Sequence, residues 1–129
     1  MNIALSAHET KEELAAQFYA VHYSVLKAHE VWALDSIVKK IFKLTGLYVG
    51  SFLSREDGGD QQITFRICCQ EIDLLLFFKD GFNTELTTAL DADILRLCDV
   101  YNIPVATNTA TAEVLIKSLK RGDFSKVTH

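Results

Sequence analysis

Short apolar runs bounded by polar or glycine residues alternate along this chain with stretches in which apolar residues recur every three or four positions. Asn2 to Ala7, Val31 to Leu34, Leu47 to Phe52, Ile72 to Phe78 and Pro104 to Ala106 read as strands. The run Ile72 to Phe78 hardly alternates at all, which fits a parallel strand covered on both faces. Between the runs, Leu14, Phe18, Val21 and Val25 fall on one helical stripe, as do Ile94, Cys98 and Tyr101, and Ala112, Leu115, Ile116 and Leu119. Helical signals also cover Ser36 to Leu44 and Asp60 to Gln70.

Helix boundaries support this reading. Thr10-Lys11-Glu12-Glu13 fits a capping box, Thr88-Ala89-Leu90-Asp91 is a second candidate, and Asn108 or Thr109 is placed to cap the last helix. Gly46 and Gly122 stand where helices would be released. The β-α-β-α order predicts an α/β fold, a single doubly wound domain with a parallel sheet of about five strands and helices on both faces. The expected organisation is one domain over residues 1–122 and a polar tail over 123–129.

Composition narrows the function classes. With 129 residues and 49% hydrophobic content, the chain is long enough to bury a core without disulfides or structural metal. Thirteen Lys and Arg against 17 Asp and Glu give a net charge of −4, which argues against a nucleic-acid partner and an anionic membrane surface. No apolar run approaches the ~20 residues of a membrane span, and the first residues do not form a signal-peptide core. The three cysteines, two adjacent and one distant, fit reduced thiols of a cytoplasmic protein, serving as small buried apolar residues.

In a doubly wound sheet, ligands bind beyond the carboxyl ends of the strands, where strand order reverses. Asp57-Gly58-Gly59-Asp60-Gln61-Gln62 falls at such an end. Its glycines permit positive φ and close backbone approach. Asp60, at a helix amino terminus, is either a simple cap or a carboxylate available as a general base. His8 closes the first strand at the same end, where a structural and a catalytic histidine are equally well placed. The histidines lack metal-ligand spacing, and no phosphate-binding glycine loop or serine nucleophile elbow occurs. No metal or nucleotide cofactor is implied.

Several segments together resemble the methylglyoxal synthase family: Ala7-His8, Phe52-Leu53-Ser54, Gly58-Gly59-Asp60-Gln61-Gln62-Ile63, Phe77-Phe78 with Asp80, Arg96-Leu97, and Asn102-Ile103-Pro104-Val105-Ala106-Thr107-Asn108 followed by Ala110-Thr111-Ala112-Glu113. The likeness spans nearly the whole chain. It implies a five-stranded doubly wound domain, often assembled as a hexamer, that converts dihydroxyacetone phosphate to methylglyoxal and inorganic phosphate. The family's base is an Asp that takes a proton from the substrate, giving an enediolate from which phosphate leaves, and Asp60 matches it. His8 matches a histidine of the substrate site, with Glu9 in place of the neighbouring Asp.

Other positions depart from the family pattern. Its Thr-Gly-Thr-Thr-Gly phosphate loop reads Leu34-Asp35-Ser36-Ile37-Val38 here, so only Ser36 keeps a hydroxyl. Its Ser-Gly-Pro reads Ser54-Arg55-Glu56, and its first-helix Lys is Glu12, with Lys11 alongside. Its Pro-His-x-Pro-Asp reads Leu86-Thr87-Thr88-Ala89-Leu90. The expectation is an enzyme-like site with Asp60 and His8 as catalytic groups. Ser36, Ser54, Gly58, Gly59, Arg55, Lys11 and Asp80 are the candidate contacts to a small phosphorylated substrate or other anion. The alternative on the same fold is a non-catalytic binding, regulatory or assembly module. Either would be a homo-oligomer, a hexamer if the resemblance extends to assembly.

Overall fold

The computed structural model describes residues 1–126; Val127, Thr128 and His129, at the end of the expected tail, lie outside the described residues. Five strands form one parallel sheet: β1 (Asn2–Ala7), β2 (Glu30–Leu34), β3 (Gly50–Phe52), β4 (Leu74–Phe78) and β5 (Val105–Ala106), in the order β3-β2-β1-β4-β5. From β1 the chain steps outward to β2 and β3, then crosses back to place β4 on the other side of β1. Strand order therefore reverses between β1 and β4, whose register runs from Ile3 opposite Leu74 to Ala7 opposite Phe78. The loops after these two strands flank the ligand crevice expected of an open α/β sheet.

Six helices cover the sheet: α1 (Glu12–Val21), α2 (Tyr23–Leu26), α3 (Asp35–Thr45), α4 (Gly59–Cys68), α5 (Ala89–Val100) and α6 (Thr109–Arg121). Helices α1 and α3 pack together, α4 packs with α5, and α6 lies on β5 and beside α2. All five residues of β4 are buried, as its unbroken apolar run requires of a central strand between two helical layers. No helix among the described residues is long and apolar enough to cross a membrane.

Several local expectations change. The first-helix stripe does not run straight through to Val25. The helix ends at Val21, which is 75% exposed, and the chain turns at His22 into α2. Thr10 caps nothing. It sits in a three-residue 3-10 turn, and its hydroxyl donates instead to Asp80 at 2.7 Å. The capping box that does form is the one at Thr88, whose hydroxyl accepts from the Asp91 amide while the Asp91 carboxylate accepts from the Thr88 amide. Asn108 caps α6 by accepting from Thr111 N–H, and Gly46 and Gly122 end α3 and α6 with positive φ.

Strand β3 is shorter than the run Leu47 to Phe52 because it lies at the sheet edge and pairs only with β2. Strand β4 starts at Leu74; just before it, Asp73 N–H donates to the Asn2 carbonyl at 2.8 Å and the Asp73 carboxylate accepts from the Asn2 amide at 2.7 Å. Of the three cysteines only Cys98 is buried, and burial pushes its thiol up to about 12. Cys68 and Cys69 are exposed, since they fall at the end of α4 where the helix has run past the core. After Gly122, Asp123–Lys126 form a 3-10 turn with Phe124 packed against the core.

Candidate active site

The carboxyl ends of β1 and β4 are joined through one imidazole. The ladder continues one residue past β1, with His8 N–H donating to the Phe78 carbonyl at 2.9 Å. The His8 ring is fully buried. Its Nδ1 accepts from the Asp80 amide at 3.0 Å, which places the ring proton on Nε2, and Nε2–H donates to Asp91 Oδ2 at 3.0 Å. Phe77 meets the ring edge-on with centroids 5.4 Å apart.

Asp91 is the site residue that sequence reasoning missed. It is fully buried, holds the amino terminus of α5 and carries one oxygen, Oδ1, with no hydrogen-bond partner among the described residues. The signal that could have found it was its place in the capping box, because that box opens the helix following β4 and so lies at the ligand end of the sheet.

Asp60 is the second residue of α4 and is not its cap. That position belongs to Gly58, at φ +104°, with no side-chain bond. Gly59 follows in tight contact: a Cβ there would lie 2.1 Å from the Leu53 carbonyl oxygen and 2.6 Å from a Leu34 methyl. These two glycines let α4 begin directly against the ends of β2 and β3, which turns Asp60 inward. Asp60 is 4% exposed, and its Oδ2 pairs with Arg55 Nε at 3.2 Å while Oδ1 has no partner among the described residues. Burial pushes its carboxyl above the usual carboxylate value. Arg55 pulls it back and Asp91 pushes it further up, and the net direction is up.

Arg55 crosses the end of β1. Besides Asp60 it donates through Nη2 to the Ala7 carbonyl at 2.6 Å and toward Ser6 Oγ at 3.4 Å. Asp80 ties its own turn, accepting from Thr10 and from the Phe82 and Asn83 amides. The Thr10 bond first, then those amides and nearby Lys11, hold its carboxyl below the ordinary value against a smaller desolvation cost.

The structure therefore brings together Asp60, Arg55, His8 and the backbone of Asp80, with Asp91 behind them. Gly58 and Gly59 lead directly into Asp60, whereas Ser36 and Ser54 spend their hydroxyls on other partners. The Ser36 hydroxyl donates to the Glu12 carboxylate, and Ser54 Oγ donates to Asp57 at 3.0 Å. Asp35 pairs with Lys39 and accepts from Ser51. Beside them an open groove of about 310 Å³ is lined by Asp35, Ser51, Ser54, Asp57 and Gln62 among others. Among the described residues, no group of three or more His, Cys, Asp or Glu side chains is placed to hold a metal ion.

A buried histidine and a buried aspartate thus lie at the switch point of a five-stranded parallel sheet in an α/β domain. No family model matches the chain. Individual proteins do. The methylglyoxal synthase of Caldicellulosiruptor saccharolyticus is 46% identical over 125 residues, covering 97% of this chain and 89% of that protein. That of Bacillus subtilis is 40% identical over 124 residues, covering 96% and 90%. The crystal structure of methylglyoxal synthase from Elizabethkingia anophelis superimposes with a TM-score of 0.81 at 32% identity, over 91% of this chain and 77% of that one. The chain belongs to the methylglyoxal synthase family.

The contact at Gly59 makes a specific prediction. Gly59→Ala forces its methyl into the Leu53 carbonyl and is expected to cost about 1–3 kcal/mol, the range for overpacking a tight site, by displacing the start of α4. Chemical denaturation measures the loss, and an unchanged midpoint would show that the approach has slack.

Proposed function

We propose that this chain converts dihydroxyacetone phosphate to methylglyoxal and inorganic phosphate, with Asp60 as the base. One observation carries the reading: a buried carboxylate at the carboxyl end of the sheet, with one oxygen lacking a partner among the described residues and its pKa pushed upward, near a histidine whose tautomer is fixed. A general base works best with its pKa raised toward the working pH, and burial beside a second carboxylate provides that shift. Relatives bearing the name of this activity, at 46% and 40% identity, support it.

In this reading, Asp60 removes a proton from the hydroxymethyl carbon of the substrate. The electron pair forms the carbon–carbon double bond of an enediolate, whose oxygen shares the His8 Nε2–H with Asp91. The hydroxyl on the deprotonated carbon then gives its proton to the departing phosphate as its oxygen electrons form the aldehyde carbonyl. The enediolate double bond shifts toward the phosphate-bearing carbon, the carbon–oxygen bond to phosphate breaks with its electrons on the phosphate, and the remaining enolate takes up a proton at carbon to become methylglyoxal. Asp91 acts as a positioning residue by orienting His8. Thr87, where the family has a histidine, does no acid–base work near neutral pH, so the proton traffic falls on Asp60, His8 and Asp91. The same reading carries a single domain over 1–122, a phosphorylated substrate, no metal or nucleotide cofactor, a cytoplasmic location and assembly into a homo-oligomer, a hexamer on the family resemblance.

The test is methylglyoxal formation by the purified protein. Asp60→Asn is expected to lower kcat at least 10²-fold, the low end for removing a general base. Full activity in Asp60→Asn would remove the base assignment. A folded protein with no turnover would leave the non-catalytic binding module.

The pH dependence follows from the same shift. Asp60 must be ionised to act, and its folded pKa lies above the usual carboxylate value, so kcat/KM should rise with pH through a limb placed above that value. Asp91→Asn removes a like charge that pushes Asp60 up, so the limb should move to lower pH. A limb that stays put in Asp91→Asn would show that the two carboxylates do not interact.

A further inference from the structure

Arg55 stands where the family pattern has a glycine, and its guanidinium pairs with one of the two oxygens of the carboxylate that the proposed chemistry uses as its base. We propose that Arg55 is an anion-operated latch on Asp60: a phosphate group entering the crevice draws the guanidinium off the carboxylate and thereby frees Asp60 Oδ2. The proposal rests on the catalytic reading for the kind of anion, a phosphate ester, and not for the latch itself.

The geometry favours a latch over a fixed strut. Arg55 is anchored twice on different atoms, through Nη2 on the Ala7 carbonyl at 2.6 Å and through Nε on Asp60 at 3.2 Å. The first contact is short and made to rigid backbone at the end of β1. The second is longer and made to a side chain. Nη1 carries two N–H donors with no acceptor among the described residues, and 28% of the Arg55 side chain reaches solvent while Asp60 is almost wholly enclosed. An incoming anion therefore meets the guanidinium before it meets the carboxylate. A guanidinium presents paired N–H groups that match two phosphate oxygens, and a phosphate offers more negative charge than the single carboxylate oxygen it displaces.

Several neighbouring polar groups are already engaged. The Ser36 hydroxyl is held by Glu12, and Lys39 pairs with Asp35. Arg66 lies over the rings of Trp32 and Phe52, at 4.4 and 5.5 Å. Two partners competing for one guanidinium are linked reciprocally, so weakening the Asp60 contact must strengthen the anion contact by the same factor. The latch would also tie the release of the base to the presence of substrate. In the resting state Arg55 lowers the basicity of Asp60, and the bound anion relieves that hold.

A double-mutant cycle with inorganic phosphate as the probe tests this without turnover. Phosphate is titrated by calorimetry into the full chain and into Asp60→Asn, Arg55→Gln and the double variant, each checked for folding by circular dichroism. Arg55→Met stands in should Arg55→Gln not fold. Asp60→Asn is expected to tighten phosphate binding about fivefold or more when Arg55 is present, the lower end of typical coupling between sites. The same change should have less than a twofold effect once Arg55 is gone, and Arg55→Gln alone should weaken binding about tenfold, the effect of one charged contact. An equal gain from Asp60→Asn in both backgrounds would mean simple charge repulsion and would overturn the latch. So would phosphate binding indifferent to Arg55→Gln, or no binding by either the parent or Asp60→Asn. Phosphate binding with this cycle but no methylglyoxal formation would refute the catalytic reading and keep the latch. Turnover with no Arg55 dependence would do the reverse.

Discussion

The site depends on one buried ring. His8 is fully buried, so both ring nitrogens must find protein partners, and both partners come from the stretch that follows β4. The Asp80 amide reaches it from the turn after β4, and the Asp91 carboxylate reaches it from the amino terminus of α5. A single side chain at the end of β1 thus fixes the separation of the two loops that bound the crevice. It also fixes its own tautomer, because an amide N–H facing Nδ1 leaves Nε2 to carry the proton. Removing the ring would strand a buried carboxylate and a backbone amide together, a loss larger than that of an ordinary hydrogen bond.

Around that ring the protein keeps negative charge where folding alone would not put it. Asp60 and Asp91 are enclosed, each has an oxygen without a partner among the described residues, and the Asp91 carboxylate raises the electrostatic cost of ionising Asp60. Their compensation is incomplete: a guanidinium on one, and a neutral ring with a backbone amide on the other. Such arrangements lower stability and are tolerated where chemistry needs a poised group. The contrast with Asp80 is direct. Asp80 has the Thr10 hydroxyl and two amides on its carboxylate, its pKa goes down, and it holds a turn together.

How far the sequence could be read depended on the range of the interaction that decided each feature. The unbroken apolar run at β4, the two glycines before Asp60 and the glycines ending α3 and α6 act through their own backbone, and they were legible. The switch-point location of His8 followed from the alternation of elements. Thr10 was misread because the hydroxyl that would have capped a helix is claimed by Asp80, 70 residues away. Asp91 was seen only as half of a local cap, because its second partner lies 83 residues distant. Residue spacing alone could not give the direction of Arg55, since the same position could point to solvent or across β1. The exposed cysteines misled for a different reason, as residue type suggests burial on average while these two lie beyond the last buried turn of α4.

The central claim is that His8 is committed through Nε2–H to Asp91 and through Nδ1 to the turn after β4, and so acts on a substrate only by sharing that proton. Nitrogen-15 NMR of the histidine ring, assigned against a His8→Gln variant, tests it most directly. The account predicts a ring protonated at Nε2 and bare at Nδ1 near neutral pH, with the Nε2 proton protected from exchange with solvent. A His8 ring protonated at Nδ1, or one whose Nε2 proton exchanges as fast as that of a surface histidine, would contradict it.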